Sequence, residues 1–336
     1  MKKRTALVIT SISAPNKVLR SFAEGCALHN VEMILIGDVP SPATFELEGC
    51  DFWSIDRQRT MPFKLATSLP QRHYARKNLG YLQAIRNGAE IIIESDDDNF
   101  PRDSFWQDRD LNISALPFEG KEWVNMYRYF TRSFIWPRGF PLERIHDPLP
   151  DAASPEHRNC PIQQGLANGD PDVDAIFRLT RTLPLDLEIT NTAYALGKGS
   201  WCPFGSQNTT WFREAFPLLY LPSKCSVRMT DIWRSYIAVR ICWENDWDVL
   251  FHKPTVWQER NEHDLMKDFA DELIGYRNNL EVCRRLESLD LKGGKDHILS
   301  NMRKCYEEFI GMELIGRDEL PLFDDWCSDI EGSSID

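Results

Sequence analysis

Glu90-Ile91-Ile92-Ile93-Glu94-Ser95-Asp96-Asp97-Asp98-Asn99 is the stretch on which the fold turns. Three consecutive isoleucines between charged residues predict a short strand buried on both faces, as in a parallel sheet covered by helices. That strand runs straight into three adjacent carboxylates. Like charges packed side by side repel, so the run is either a solvated acidic turn or the seat of a divalent cation. Its place after a buried strand favours the cation. Asp96 and Asp98 alternate along an extended segment and so point the same way. Oxygen ligands suit Mg²⁺ or Mn²⁺, which commonly also hold substrate phosphates.

The same alternation of element types extends back to the start. Thr5–Ile12 is apolar and β-branched, and Ser13-Ala14-Pro15-Asn16 breaks it. Val18, Leu19, Phe22 and Ala23 recur at helical spacing up to His29-Asn30. Val31–Ile36 is a second strand, closed by Gly37-Asp38. A helix over about 75–87 follows, with Leu79, Leu82 and Ile85 on one face and Gly88 as its C-cap. This β-α-β-α-β order predicts an α/β fold with a mostly parallel, Rossmann-like sheet, whose ligands sit beyond the carboxyl ends of the strands. Each strand ends there in polar residues: Ser11 and Ser13, then Asp38, then the acidic run.

Beyond residue 100 the periodicity weakens. Residues 101–200 are rich in Pro, Trp and Arg and predict long loops that build part of the substrate surface. Helices are expected from about Asp231, over Met266–Leu289 and over Asp296–Met312, with the acidic, Ser-rich last dozen residues frayed. This divides the chain into a nucleotide-binding part, 1–265, and a helical C-terminal extension, 266–336.

Length and composition bound the function. The 336 residues hold 39 Lys and Arg against 51 Asp and Glu, a net charge of −12, which argues against a general nucleic-acid or anionic-membrane surface. No run approaches the roughly 20 apolar residues of a membrane-spanning segment. Nine scattered cysteines, with no C-x-x-C pair, suggest free thiols in a reducing, cytoplasmic compartment. No G-x-S-x-G, P-loop or G-x-G-x-x-G is present, which weakens hydrolase, NTPase and dehydrogenase readings.

Other stretches carry candidate chemistry. Asp231, in Arg228-Met229-Thr230-Asp231-Ile232-Trp233-Arg234, opens a helix, as an N-terminal cap or as a general base toward an acceptor hydroxyl. Trp201–Thr209 mixes aromatics with Gln207 and Asn208, groups that suit sugar contacts and also ordinary loops. Asn168–Asp174 alternates its carboxylates without the closing Glu of a calcium loop, leaving acceptor recognition or helix capping. His263 is either a third metal ligand or a surface histidine.

Two of these stretches, with a third, carry a family likeness. Gln163-Gln164-Gly165-Leu166 through Pro171–Thr180, Ser206-Gln207-Asn208-Thr209 and Met229–Arg234 resemble the plant STELLO glycosyltransferase family. Asn78-Leu79-Gly80-Tyr81 followed by Asp96-Asp97-Asp98 is more distantly similar to the reversibly glycosylated polypeptides, the UDP-arabinopyranose mutases. The resemblance implies a GT-A fold, with Mn²⁺ or Mg²⁺ at a D-x-D motif formed by Asp96 and Asp98. It implies a nucleotide-diphosphate sugar, such as a UDP-sugar, as donor and a glycan or other hydroxyl as acceptor, in surface polysaccharide or glycan synthesis. Ser11, Asn16 and Asp38 would then hold the nucleoside. Lys77 would lie at the diphosphate or on the surface, and Asp97, Gln207 and Asn208 would complete the donor site. The mutases carry a glycosylated arginine where this chain has Lys77, and His where it has Gln258. The alternatives are a mutase reaction and a non-catalytic nucleotide-sugar-binding or scaffold protein.

Overall fold

A computed structural model describes residues 3–187, 191–261 and 263–333. At its centre, β1 (Thr5–Thr10), β2 (Glu32–Ile36), β3 (Cys50–Trp53) and β4 (Ile91–Asp96) run parallel in the order β3-β2-β1-β4. β4 pairs with β1 from Thr5↔Ile91 to Thr10↔Asp96. Its other edge pairs antiparallel with Asn208–Phe212, so its isoleucines are enclosed on both sides, as their continuous apolar run predicts. The sheet continues through Ile162–Asn168, Val249–Gln258, Tyr194–Leu196, Asn112–Phe118 and Glu156–Asn159, with parallel and antiparallel pairings mixed.

Side chains alternate across the central strands, and each face has its own helix. α1 (Lys17–His29) buries Val18, Leu19, Phe22, Ala23 and Cys26 against Leu7, Ile9, Ile91 and Ile93. Asn16 caps it, accepting from the Leu19 amide at 2.8 Å, and left-handed Asn30 ends it. On the other face the Lys77–Arg86 helix packs Leu79, Leu82 and Ile85 against Ala6, Val8, Ile34 and Ile92. Gly80 lets it come close: a Cβ there would lie 2.5 Å from Val8 Cγ1 and 3.0 Å from Ile36 Cγ1.

Three features depart from the sequence reading. β3 is a further parallel strand, four half-exposed residues too short to show a period. The middle of the chain supplies sheet strands as well as loops. Ile162–Asn168 is fully buried despite its polarity, because Gln163 donates to the Asp110 and Cys160 carbonyls and Gln164 to those of Gly165 and Asn208. At the C-terminal end, Leu265–Ser288 and Ile298–Gly311 are followed by a helix over Glu319–Ser333 where fraying was expected. Its Leu322, Phe323, Trp326 and Ile330 are buried at helical spacing among the acidic residues, and Asp329 accepts from the Lys64 and Leu65 amides, both at 2.9 Å. Residues 334–336 lie outside the described residues.

Candidate active site

A cavity of about 930 Å³ opens where β1, β2 and β4 end. Ser11, Asp38, Asp96, Asp97, Asp98, Gln207, Asp231 and His263 line it. Sequence positions as far apart as Ser11 and His263 thus meet at the carboxyl edge of a parallel sheet, where α/β proteins bind ligands.

The acidic run forms the floor. Asp96 accepts from Tyr74 Oη at 3.0 Å and from Lys77 Nζ at 3.3 Å. Burial pushes its carboxyl up to about 7; Lys77 opposes the shift, and Asp98 adds to it. Asp98 is also raised by burial, against hydrogen bonds from Gln258 Nε2 (3.1 Å) and the Asn261 amide (3.3 Å). Asp97 accepts from Ser11 Oγ and from Asn261 Nδ2.

Several expected ligand contacts are structural supports instead. Lys77 is fully buried, neither on the surface nor at the cavity wall; its Nζ donates to Tyr74, Ser95, Asp96 and Ser206, holding the acidic run from behind. Asn16 spends its amide on the α1 cap and on the Asp97 carbonyl (2.9 Å). Asn208 is buried against the Leu166 carbonyl and Thr255. Asp38 lines the cavity, yet its carboxylate accepts from the backbone amides of Val39, Arg72 and His73, so it shapes that part of the wall through the chain it holds. Gln207 faces the cavity and donates to Asn99 at 3.2 Å. Asp174 caps the Ala175–Thr180 helix and accepts from Trp136 Nε1, which settles its role as capping.

Asp231 sits in the first turn of the Thr230–Trp243 helix, gripped by a residue that the sequence did not single out. Arg138 donates to both its oxygens at 2.9 and 2.7 Å and to both oxygens of Asp172 at 2.8 and 3.0 Å. Asp231 also accepts from the Ser206 amide and hydroxyl and from the Ile232 amide. Burial alone would raise its pKa, but Arg138 overrides this and holds the carboxyl well below the usual carboxylate range. The signal for Arg138 was local: it lies in Pro137-Arg138-Gly139. Gly139 has φ +87°, and a Cβ there would lie 2.4 Å from Ile232 Cγ2, so only glycine lets this turn press against the helix that carries Asp231.

The acidic floor fits a divalent cation in its donor set. Its carboxyls are adjacent and partly buried, and Lys77 ion-pairs with Asp96 but with neither Asp97 nor Asp98 among the described residues. His263 lines the same cavity and pairs with Asp268, its Nδ1 lying 3.3 Å from that carboxylate. Among the described residues no three or more His, Cys, Asp or Glu side chains are grouped to hold a metal by themselves. A Mg²⁺ site commonly takes only one or two carboxylates, with phosphates and water supplying the rest.

Comparison with known proteins bears on what such a site does. No protein-family model matches the chain. A mycobacterial protein of known crystal structure aligns over 83% of this chain and 75% of its own, at 11% identity and a TM-score of 0.40. Among the described residues no helix is long and apolar enough to cross a membrane. Two curated Arabidopsis thaliana proteins match in sequence: probable glycosyltransferase STELLO1, 29% identical over 269 residues, and probable glycosyltransferase STELLO2, 30% identical over 270. Each match takes in 74% of this chain but only 34% and 35% of the relatives, so the chain spans about a third of their length. Across that shared segment, the STELLO-type resemblance carried by the motifs is borne out: the chain is similar to probable glycosyltransferases of the STELLO type.

Proposed function

We propose that this chain is a metal-dependent glycosyltransferase of GT-A type that moves a sugar from a nucleotide-diphosphate donor, such as a UDP-sugar, to a hydroxyl of a glycan acceptor. The observation that carries this reading is the meeting, in one cavity, of Asp96 and Asp98 at the end of β4 with the Arg138 clamp on Asp231 and Asp172. Residues 1–265 form the nucleotide-sugar-binding part and 266–336 the extension, whose Lys267, Asp268 and Asp271 add to the cavity wall. Nine free cysteines suit a reducing, cytoplasmic compartment.

Asp96 and Asp98 would hold Mn²⁺ or Mg²⁺, which supplies Lewis-acid stabilisation of charge on the leaving diphosphate. The nucleoside would rest against the Ser11 turn and the backbone that Asp38 fixes at 72–73. Transfer forms a bond from the acceptor oxygen to the anomeric carbon and breaks that carbon's bond to the diphosphate, which leaves with the electron pair, while the acceptor hydroxyl's proton passes to the departing phosphate oxygen or to water. Asp231 makes five hydrogen bonds within the protein and holds protons weakly, so it suits positioning better than proton abstraction. Through Arg138 and Ser206 it ties the acceptor side of the cavity to Tyr74 and the acidic floor.

The test is to incubate the chain with UDP- and GDP-sugars and Mn²⁺, with and without glycan acceptors, and to follow nucleotide release and product mass. Acceptor-dependent transfer supports the reading. Isomerised donor without acceptor would make the chain a mutase. Donor binding without turnover under any condition would make it a non-catalytic binder.

A further inference from the structure

We propose that Arg178, Arg228 and Arg260 form an anion-binding subsite that takes a phosphate or carboxylate group of the acceptor, apart from the donor's diphosphate. The word acceptor rests on the transferase reading above. The three guanidiniums come from separate segments, the Ala175–Thr180 helix, the turn before Thr230 and the strap after Val249–Gln258, and all three line the cavity. Each is anchored by a carboxylate: Arg178 by Asp170, Arg228 by fully buried Glu272 at 2.6 Å, and Arg260 by Asp268 at 2.7 Å.

Arg178 engages Nε, Nη1 and Nη2 with Val173, Asp170 and Pro171, but the anchors of Arg228 and Arg260 leave donors over. A guanidinium offers five N–H groups in a fixed fork. Arg228 gives Nε and Nη2 to Glu272, and its Nη1 makes no hydrogen bond among the described residues. The Arg260 side chain is 10% exposed, and its Nη1 is buried without a partner among the described residues. Burial, then repulsion from Arg178 and Arg228, pushes Arg260 down to about 10. Cations crowded together with donors unmet are costly unless an anion joins them. Lys267 adds a further charge at this end; of the neighbouring carboxylates, Asp264 caps the Leu265–Ser288 helix and Asp271 also faces the cavity.

Arg260 lies within electrostatic reach of Asp98, whereas Arg228 is tied to the acidic floor through intervening protein groups. A line of hydrogen bonds runs Asp96, Tyr74, Ser206, Asp231, Arg138, and Arg138 then donates to the Arg228 carbonyl. Arg228 is thus joined to the acidic floor at a remove, through Tyr74, Ser206, Asp231 and Arg138. Phosphate and carboxylate both match the guanidinium fork.

The experiment is calorimetric titration of the full chain with inorganic phosphate, with glucuronate as the carboxylate arm, and separately with UDP plus Mn²⁺. The parent should bind one of the two anions saturably without metal. Arg260→Gln should weaken that anion about tenfold or more, Arg260→Lys less, and both should keep UDP–Mn²⁺ affinity within about threefold. No saturable anion binding by the parent overturns the proposal, whether or not Arg260→Gln folds. Equal loss of UDP–Mn²⁺ in Arg260→Gln, or competition between phosphate and UDP–Mn²⁺ in the parent, overturns it by giving these residues to the donor diphosphate. Anion binding without UDP–Mn²⁺ binding keeps the subsite and sinks the transferase reading instead.

Discussion

Asp231 and Arg234 lie three residues apart on one helix, and each belongs to an arginine–carboxylate cluster. Arg234 donates to both oxygens of Glu94, at 3.0 and 2.7 Å, with Tyr81 and Trp211 completing the carboxylate's partners. Both side chains are sealed, at 1% and 0% exposure. The second cluster, Asp231–Arg138–Asp172, has the same chemistry and similar geometry, but it lines the cavity. A buried ion pair is therefore no mark of function by itself. Glu94 even shares β4 with Asp96, two residues on and on the same side of the strand, yet one is packed in the core and the other meets the cavity.

The sharpest way to break this contrast is to remove the core arginine. Arg234→Met should destabilise the fold by about 3–5 kcal/mol, because it strands Glu94 without a counter-charge. Arg234→Met with Glu94→Gln should recover a large part of that in chemical denaturation; if the double variant is no better than the single, the sealed cluster is not a charge pair in energetic terms.

The cavity cluster should respond in the opposite currency. Asp231→Asn keeps the side-chain shape, and Arg138 keeps Asp172, so melting should stay within a few degrees of the parent. Transfer rate should fall at least about a hundredfold, as misplacing reacting groups commonly costs. Steady-state kinetics with a fixed donor would show it, and an unchanged rate would reduce Asp231 to a structural residue. A positioning role also predicts a rate profile with no acid limb from Asp231 between pH 5 and pH 8. Its carboxyl sits below its ordinary value of 3.8, so it stays ionised there. The stability it contributes is present above that value and is lost only in stronger acid.

Next in size is the floor. Asp98→Ala should remove Mn²⁺-dependent stabilisation by UDP, about 2.7 kcal/mol at a ligand concentration a hundred times Kd, while leaving the ligand-free melt nearly unchanged. Persistent, EDTA-insensitive stabilisation would detach the metal from this run.

The smallest effect is a pH dependence. Asp96 titrates at about 7 in the fold against an ordinary 3.8, so the folded chain holds that proton more tightly than the unfolded one. Its penalty on stability is absent below the ordinary value and complete above the folded one. Between pH 8 and pH 5 the metal-free parent should gain at least about 1 kcal/mol relative to Asp96→Asn. Equal slopes for the two would show that burial does not govern Asp96.

The sequence made one end of this comparison legible and hid the other. The Ile91–Ile93 run announced its own burial, and the strand ends at Ser11, Asp38 and Asp96 lined the cavity as the α/β winding requires. What stayed hidden was partnership across long separations. Arg138, Asp172 and Asp231 meet only after the chain folds, and nothing in the spacing of an isolated Pro-Arg-Gly says which carboxylates it will grip. Lys77 misled for a related reason: a charged residue at a helix start reads as solvent-facing, and its burial depends on partners distant in sequence, the carbonyls of Ser95 and Ser206 and the carboxylate of Asp96. The Glu319–Ser333 helix was masked by composition, its four core side chains diluted among carboxylates.

That last helix carries a consequence for how the molecule is made. It packs on the Lys77–Arg86 helix, and its Asp329 ties down the amides of Lys64 and Leu65. The support under Asp96 thus leans on residues translated some 240 positions later. A nascent chain at the ribosome would have all its floor carboxylates long before it has the element that braces them. Ligand competence should therefore arrive only once residues 319–333 have been made, rather than grow gradually as the sheet forms.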